Sequence, residues 1–222
     1  LSFHVRRGGT LGIIGATGCG KTTILNLMMR FYDTDEGRVL INGIDIKDMG
    51  IKDLRSRFGV VFQNDMIFND TLYENISFGR SLDIDEVRRA ANDAHIGEFI
   101  DGLEEKYDYV AAIKGMNLSG GQRQRILIAR ALAGNPEIIV LDDASSALDY
   151  KTDAGIRTKL LSGYRGIIKI VIAQRVSSVM NMDNIIVMDE GKIIGSGTHD
   201  TLMEECELYR GLFRLQMGEV QG

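Results

Sequence analysis

The chain has 222 residues, 44% of them hydrophobic, and a formal net charge of −5. This is enough apolar material for one large domain with a buried core, and the acidic balance excludes a general nucleic-acid binder. Cys19 and Cys206 lie far apart, which excludes a disulfide framework or a metal-ligand spacing and suits a reducing compartment; no apolar run approaches the ~18 residues of a membrane span.

Leu1, Phe3 and Val5 alternate as in a strand. A chain that starts inside such a pattern is expected to be a piece of a longer polypeptide. Residues 11–14 form a short apolar run ending at glycine, which predicts a buried strand, and a helix is expected from 21 to about 31. A strand follows at 38–41, then an Asn42-Gly43 turn, then a strand at 58–62. From 71 to 130 the signals are helical: residues 83–94 open with acidic side chains, and 121–132 run into Gly134. Strands are predicted at 138–141, 167–172, 184–188 and 192–194, with Gly191 turning between the last two. Helices are expected at 151–161, 201–205 and 208–217. Strands and helices alternate in both flanks, so the fold class is α/β with a mostly parallel sheet, and residues 64–134 are an inserted helical lobe.

Three motifs carry chemistry. Gly15, Ala16, Thr17, Gly18, Cys19, Gly20, Lys21 and Thr22 match G-x-x-x-x-G-K-[ST], between a strand and a helix. Glycines let the backbone N–H groups curl towards phosphates, the helix start adds partial positive charge, Lys21 reaches the β- and γ-phosphates, and Thr22 binds Mg²⁺. Thr23 completes the nucleotide-contacting set. Residues 138–143 form an apolar strand ending in Asp142 and Asp143. Asp142 suits a Mg²⁺ ligand, and Asp143 stands where a base for the attacking water belongs. Leu118-Ser119-Gly120-Gly121-Gln122 precedes Arg123-Gln124-Arg125. Taken alone it is an ordinary helix cap; with the other two motifs it is a helix start facing a γ-phosphate.

On these residues the sequence resembles the nucleotide-binding domain of ABC transporters, exporter branch, over essentially its whole length. The resemblance implies a P-loop NTPase (RecA-like) core at 1–63 and 135–222, with an antiparallel β part, and a helical subdomain at 64–134. It implies ATP and Mg²⁺ as ligands. Gln63 matches the family's Q-loop glutamine, which contacts Mg²⁺ and water. Residues 64–79 look like the segment that meets the membrane domain, and Ser145 to Asp149 match the D-loop. Head-to-tail pairing with a second such domain is implied, each ATP lying between one phosphate loop and the other domain's Ser119-type motif. So is attachment to a membrane-spanning domain at the cytoplasmic face of the cell inner membrane. No nucleic acid is expected; the arginines from Arg123 to Arg130 read as a helix face.

Two departures fall on one half-site. The family carries glutamate where this chain has Asp143, and histidine where it has Gln174 in the switch loop. The shorter carboxylate is drawn back by about 1 Å, a shift that can cost on the order of 10²-fold. General-base help is typically worth about 10²–10⁴-fold, and glutamine cannot take a proton. The expectation is a hydrolysis-impaired own site in one half of a heterodimeric exporter. Residues 111–115 also lack the usual acidic segment, and the adenine-stacking aromatic would lie upstream of Leu1. A soluble ABC ATPase of DNA repair or translation and a non-hydrolysing regulatory subunit are the alternatives. The former usually has coiled-coil or zinc insertions, for which no heptads or cysteine clusters are present.

Overall fold

The computed structural model describes residues 1–144 and 147–218. In chain order its elements are β1 (Thr10–Gly15), α1 (Lys21–Met28), β2 (Leu40–Ile41), β3 (Ile44–Asp45), α2 (Ile51–Ser56), β4 (Phe58–Val61), α3 (Leu72–Ser77), α4 (Ile84–Asp93) and α5 (Gly97–Asp101). There follow α6 (Gly120–Leu132), β5 (Ile138–Asp142), α7 (Tyr150–Gly163), β6 (Ile168–Ala173), β7 (Asn184–Asp189), β8 (Lys192–Gly197), α8 (His199–Glu205) and α9 (Glu207–Met217). They group into two compact units, one covering residues 1–58 and the chain from 168 onward, the other residues 59–167.

In the first unit β1 is central. It pairs in parallel with β6 on one side and β7 on the other, and β8 closes antiparallel on β7. All six residues of β1 are buried, which is why the strand reads as a continuous apolar run rather than an alternation. Ile14, Val179, Ile185, Val187 and Leu202 form a core with the fully buried Tyr209 of α9. The Asn42-Gly43 turn is present with both residues at positive φ, 52° and 82°, the geometry of a tight hairpin.

Three expectations change here. Residues 1–5 form no strand, and Leu1 and Phe3 are exposed: an alternating pattern makes a strand only with a ladder partner. The first helix ends at Met28 rather than near 31 because Arg30 turns left-handed at φ 51°. Its guanidinium then donates to the carbonyls of Ile46, Lys47 and Met49, which serves the loop instead of the helix. The strand expected from 38 is confined to Leu40–Ile41.

The second unit is built on a core of α3, α4, α6 and β5 side chains, among them Leu72, Ile76, Val87, Ile126 and Ile139. β5 and the greater part of β4 are neighbours within it. α4 starts with a capping box, Asp83 accepting from the Glu86 N–H at 2.8 Å while Glu86 accepts from the Asp83 N–H. Two arginines bind α6 to its surroundings. Arg80 donates to the carbonyls of Arg130 and Ala133, both at 2.7 Å, which satisfies acceptors at the helix C-terminus. Arg130, 5% exposed, donates to the Asn75 carbonyl at 2.7 Å and to Asp65 at 3.2 Å, and its guanidinium lies over the rings of Phe78 and Phe68. Burial pushes its pKa down and Asp65 opposes the shift.

Candidate functional site

The phosphate-loop residues follow β1 in the first unit. Gly15 ends the strand, and a Cβ there would come within 2.2 Å of the Met188 carbonyl and 2.7 Å of the Cys19 sulfur, so no side chain fits. Gly20 precedes α1 in a left-handed conformation, φ 99°, which only glycine adopts without strain. The Cys19 N–H donates to Ala16, and the Gly191 N–H, from the turn between β7 and β8, donates to Cys19 at 3.1 Å. Lys21 is largely buried and folds back over this curl, its Nζ donating to the carbonyls of Gly15 at 2.9 Å and Ala16 at 2.8 Å. Ala16, Thr17, Gly18, Thr22 and Thr23 are exposed. No side chain caps the start of α1, so the helix end that favours anions is not occupied by a residue of its own cap.

Strand register places Gln174. Ile14 pairs with Ala173 and Gly15 with Met188 in parallel strands. Gln174 therefore leaves β6 beside the point where the phosphate loop leaves β1, at the carboxyl ends of parallel strands where open α/β sheets bind ligands. The next residues are held from α9: Gln216 bonds the Gln174 carbonyl and the Val176 N–H. Nothing in the sequence marked Gln216, because a single glutamine on an amphipathic C-terminal helix has no motif around it.

In the second unit Gln63 lies exposed just past β4. Asp142 ends β5 and is 3% exposed. Asp143 follows at φ 52°, a left-handed conformation uncommon for a residue other than glycine and a form of strain that clusters at functional positions. Ser119 caps α6: its hydroxyl accepts from the Gln122 N–H at 3.2 Å while Gln122 Oε1 accepts from the Ser119 N–H at 2.7 Å. Gly120 and Gly121 lie beside Ala147, the Gly121 Cβ position falling 3.6 Å from the Ala147 carbonyl. Ser145 and Ser146 of the expected D-loop lie outside the described residues. Asp149 caps α7, accepting from the N–H and hydroxyl of Thr152 at 3.0 and 2.6 Å. The Thr152 hydroxyl holds its carboxyl below the usual range, and backbone bonds add to this. The arginines of α6 are spent internally. Arg123 donates to the Gly115 and Leu118 carbonyls, and Arg125 to that of His95 at 2.6 Å.

Residues 1–146 match the family described as ABC transporter. The chain belongs to that family. An ATP-dependent lipid A-core flippase of Vibrio vulnificus (strain YJ016) is 41% identical over 99% of this chain, which spans 38% of that protein. ATP-binding cassette sub-family B member 5 of Homo sapiens is 41% identical over 97% of this chain, which spans 17% of its length. A solved bacterial Atm1-family ABC exporter with ATP bound superposes with a TM-score of 0.93 at 40% identity, over 97% of this chain and 38% of that one. The chain thus has the P-loop NTPase fold of an ABC transporter domain, similar to those of exporters, and it spans well under half the length of these relatives. Among the described residues no helix is long and apolar enough to cross a membrane.

Proposed function

We propose that this ABC domain is the motor of an exporter, binding Mg-ATP on its own phosphate loop and lending its Ser119 motif to the ATP of a second domain. The observation that carries the reading is the loop from Gly15 to Thr22, shaped around backbone rather than side chains and opening an uncapped helix, in a chain matched along 97% of its length to an exporter solved with ATP. On this reading residues 1–63 and 135–222 are the ATP-binding core and 64–134 the helical subdomain. A membrane-spanning domain lies elsewhere in the full protein, and the motor faces the cytoplasm.

The donor set suits the ligands. Backbone N–H groups, a helix start and the Lys21 ammonium match a polyphosphate. The Thr22 hydroxyl in one unit and the Asp142 carboxylate in the other are each of the oxygen type that would hold Mg²⁺. Bound Mg²⁺ supplies neutralisation of charge on the β- and γ-phosphates. Lys21 and the loop would hold the phosphates, Gln63 and Asp142 would help hold the metal and its waters, and Asp143 would accept a proton from the attacking water. Gln174 donates its side-chain amide to the γ-phosphate or to that water. Ser119, Gly120, Gly121, Gln122 and Asp149 serve the facing nucleotide.

With a shorter carboxylate at Asp143 and a Gln174 amide that cannot take up a proton, the own site would be slow, which fits one half of a heterodimer whose partner hydrolyses. The test is ATP turnover by the full-length protein with its partner. Asp143→Ala is expected to change turnover less than about 3-fold, and Asp143→Glu with Gln174→His to raise this site's rate by roughly 10²-fold. If Asp143→Ala alone abolishes most turnover, this half-site is the catalytic one.

A further inference from the structure

The loop that begins with Gln174 is fastened by one side chain from the far end of the chain. Gln216, in the last turn of α9, donates from Nε2 to the Gln174 carbonyl at 2.8 Å and accepts at Oε1 from the Val176 N–H at 2.7 Å. A planar amide offers a donor and an acceptor side by side, and here both are used on one short stretch of backbone, as a neighbouring strand would use them. The loop is pinned on its other side as well, because Val176 is buried and opens a 3₁₀ turn. Gln174 and Arg175, between Ala173 of β6 and Val176, are exposed. α9 is a firm base for the clamp: Tyr209 is fully buried and its hydroxyl bonds Nδ1 of His199 at 2.8 Å.

We propose that Gln216 is a positioning residue for nucleotide recognition, fixing the peptide of Gln174 so that its side-chain amide is presented to the terminal phosphate. The inference rests on the reading of Gln174 given above. It follows from register: Ala173 pairs with Ile14, so Gln174 starts beside Gly15 of the phosphate loop, and a rotation of its peptide redirects its side chain relative to that loop. The clamp gives the C-terminal helix a grip on the residue that distinguishes a triphosphate from a diphosphate, while the phosphate loop holds what both nucleotides share.

Binding of a non-hydrolysable ATP analogue and of ADP, each with Mg²⁺, to the full-length protein tests this without requiring turnover. Gln216→Leu removes both bonds and is expected to weaken the analogue about 3- to 10-fold while leaving ADP affinity unchanged and lowering the melting temperature by no more than about 2–4 °C. Gln216→Glu keeps the acceptor for the Val176 N–H but loses the donor to the Gln174 carbonyl, and is expected to show a loss of the same sense. In a Gln174→Ala background the Gln216→Leu effect is expected to disappear, since residues acting through one another are not additive. Equal weakening of both nucleotides, no weakening, or a loss that persists in the Gln174→Ala background overturns the positioning role. Wild-type protein that bound neither nucleotide would overturn the functional reading, and this role with it.

Discussion

Two helix N-termini in this molecule answer the same physical demand in opposite ways. α1 starts after Gly20, which has no side chain to offer, and its first turn has no side-chain cap. α6 starts after Ser119, which with Gln122 closes a reciprocal capping box. A helix start carries donors and partial positive charge that want an anion or a cap. At α1 that demand is left for a ligand, and the loop before it is folded to receive one. At α6 it is met internally by the Ser119 and Gln122 bonds, which, on the proposed function, a facing γ-phosphate would have to share or displace. On the proposed function the first would receive a phosphate as it stands, and the second would do so only when a partner brought ATP to it.

The comparison is broken most severely by Lys21→Ala. Losing a largely buried ammonium from a charge-paired site costs about 2–5 kcal/mol, so ATP affinity of this chain is expected to fall by roughly 30-fold or more, measured by nucleotide titration. Ser119→Ala is next. It removes a cap worth about 1 kcal/mol, lowering the melting temperature by about 2–4 °C. ATP binding on the own loop should be untouched, whereas partner-dependent turnover drops. If Ser119→Ala weakened own-loop binding as Lys21→Ala does, the two helix starts would not be functionally distinct.

The smallest effect concerns a third helix start. Asp149 caps α7 with its pKa depressed by the Thr152 bonds. A depressed carboxyl contributes stability that is present above the ordinary aspartate value and lost as pH falls through the lowered one. Asparagine caps as well as aspartate but does not titrate. Asp149→Asn is therefore expected to leave neutral-pH stability unchanged and to flatten the acid limb of an unfolding curve.

Much of this was legible in the sequence because it depends on local rules. The run Leu11–Ile14 announced a buried strand, the glycines and Lys21 announced the loop, and Ser119 before two glycines announced a capped helix; each is decided within a few residues. The failures came where distant partners decide. Leu1, Phe3 and Val5 alternate correctly but pair with no strand. Arg30 ends α1 early because loop carbonyls at Ile46, Lys47 and Met49 collect its guanidinium. Arg130 was read only as part of a helix face, and its burial, stacked on Phe68 and Phe78, is set by residues distant in sequence.

By itself the sequence determined the class of fold, the phosphate loop, the acidic end of β5 and the substitutions at Asp143 and Gln174, because turn chemistry, periodicity and residue type are written along the chain. The tertiary structure decided what those residues face. It set Ile14 against Ala173, so that the loop bearing Gln174 opens beside Gly15. It also brought Gln216 from 40 and 42 residues away onto the backbone of that loop. Register and long-range hydrogen bonds are properties of packed strands and helices, and no local pattern encodes which distant amide will complete them.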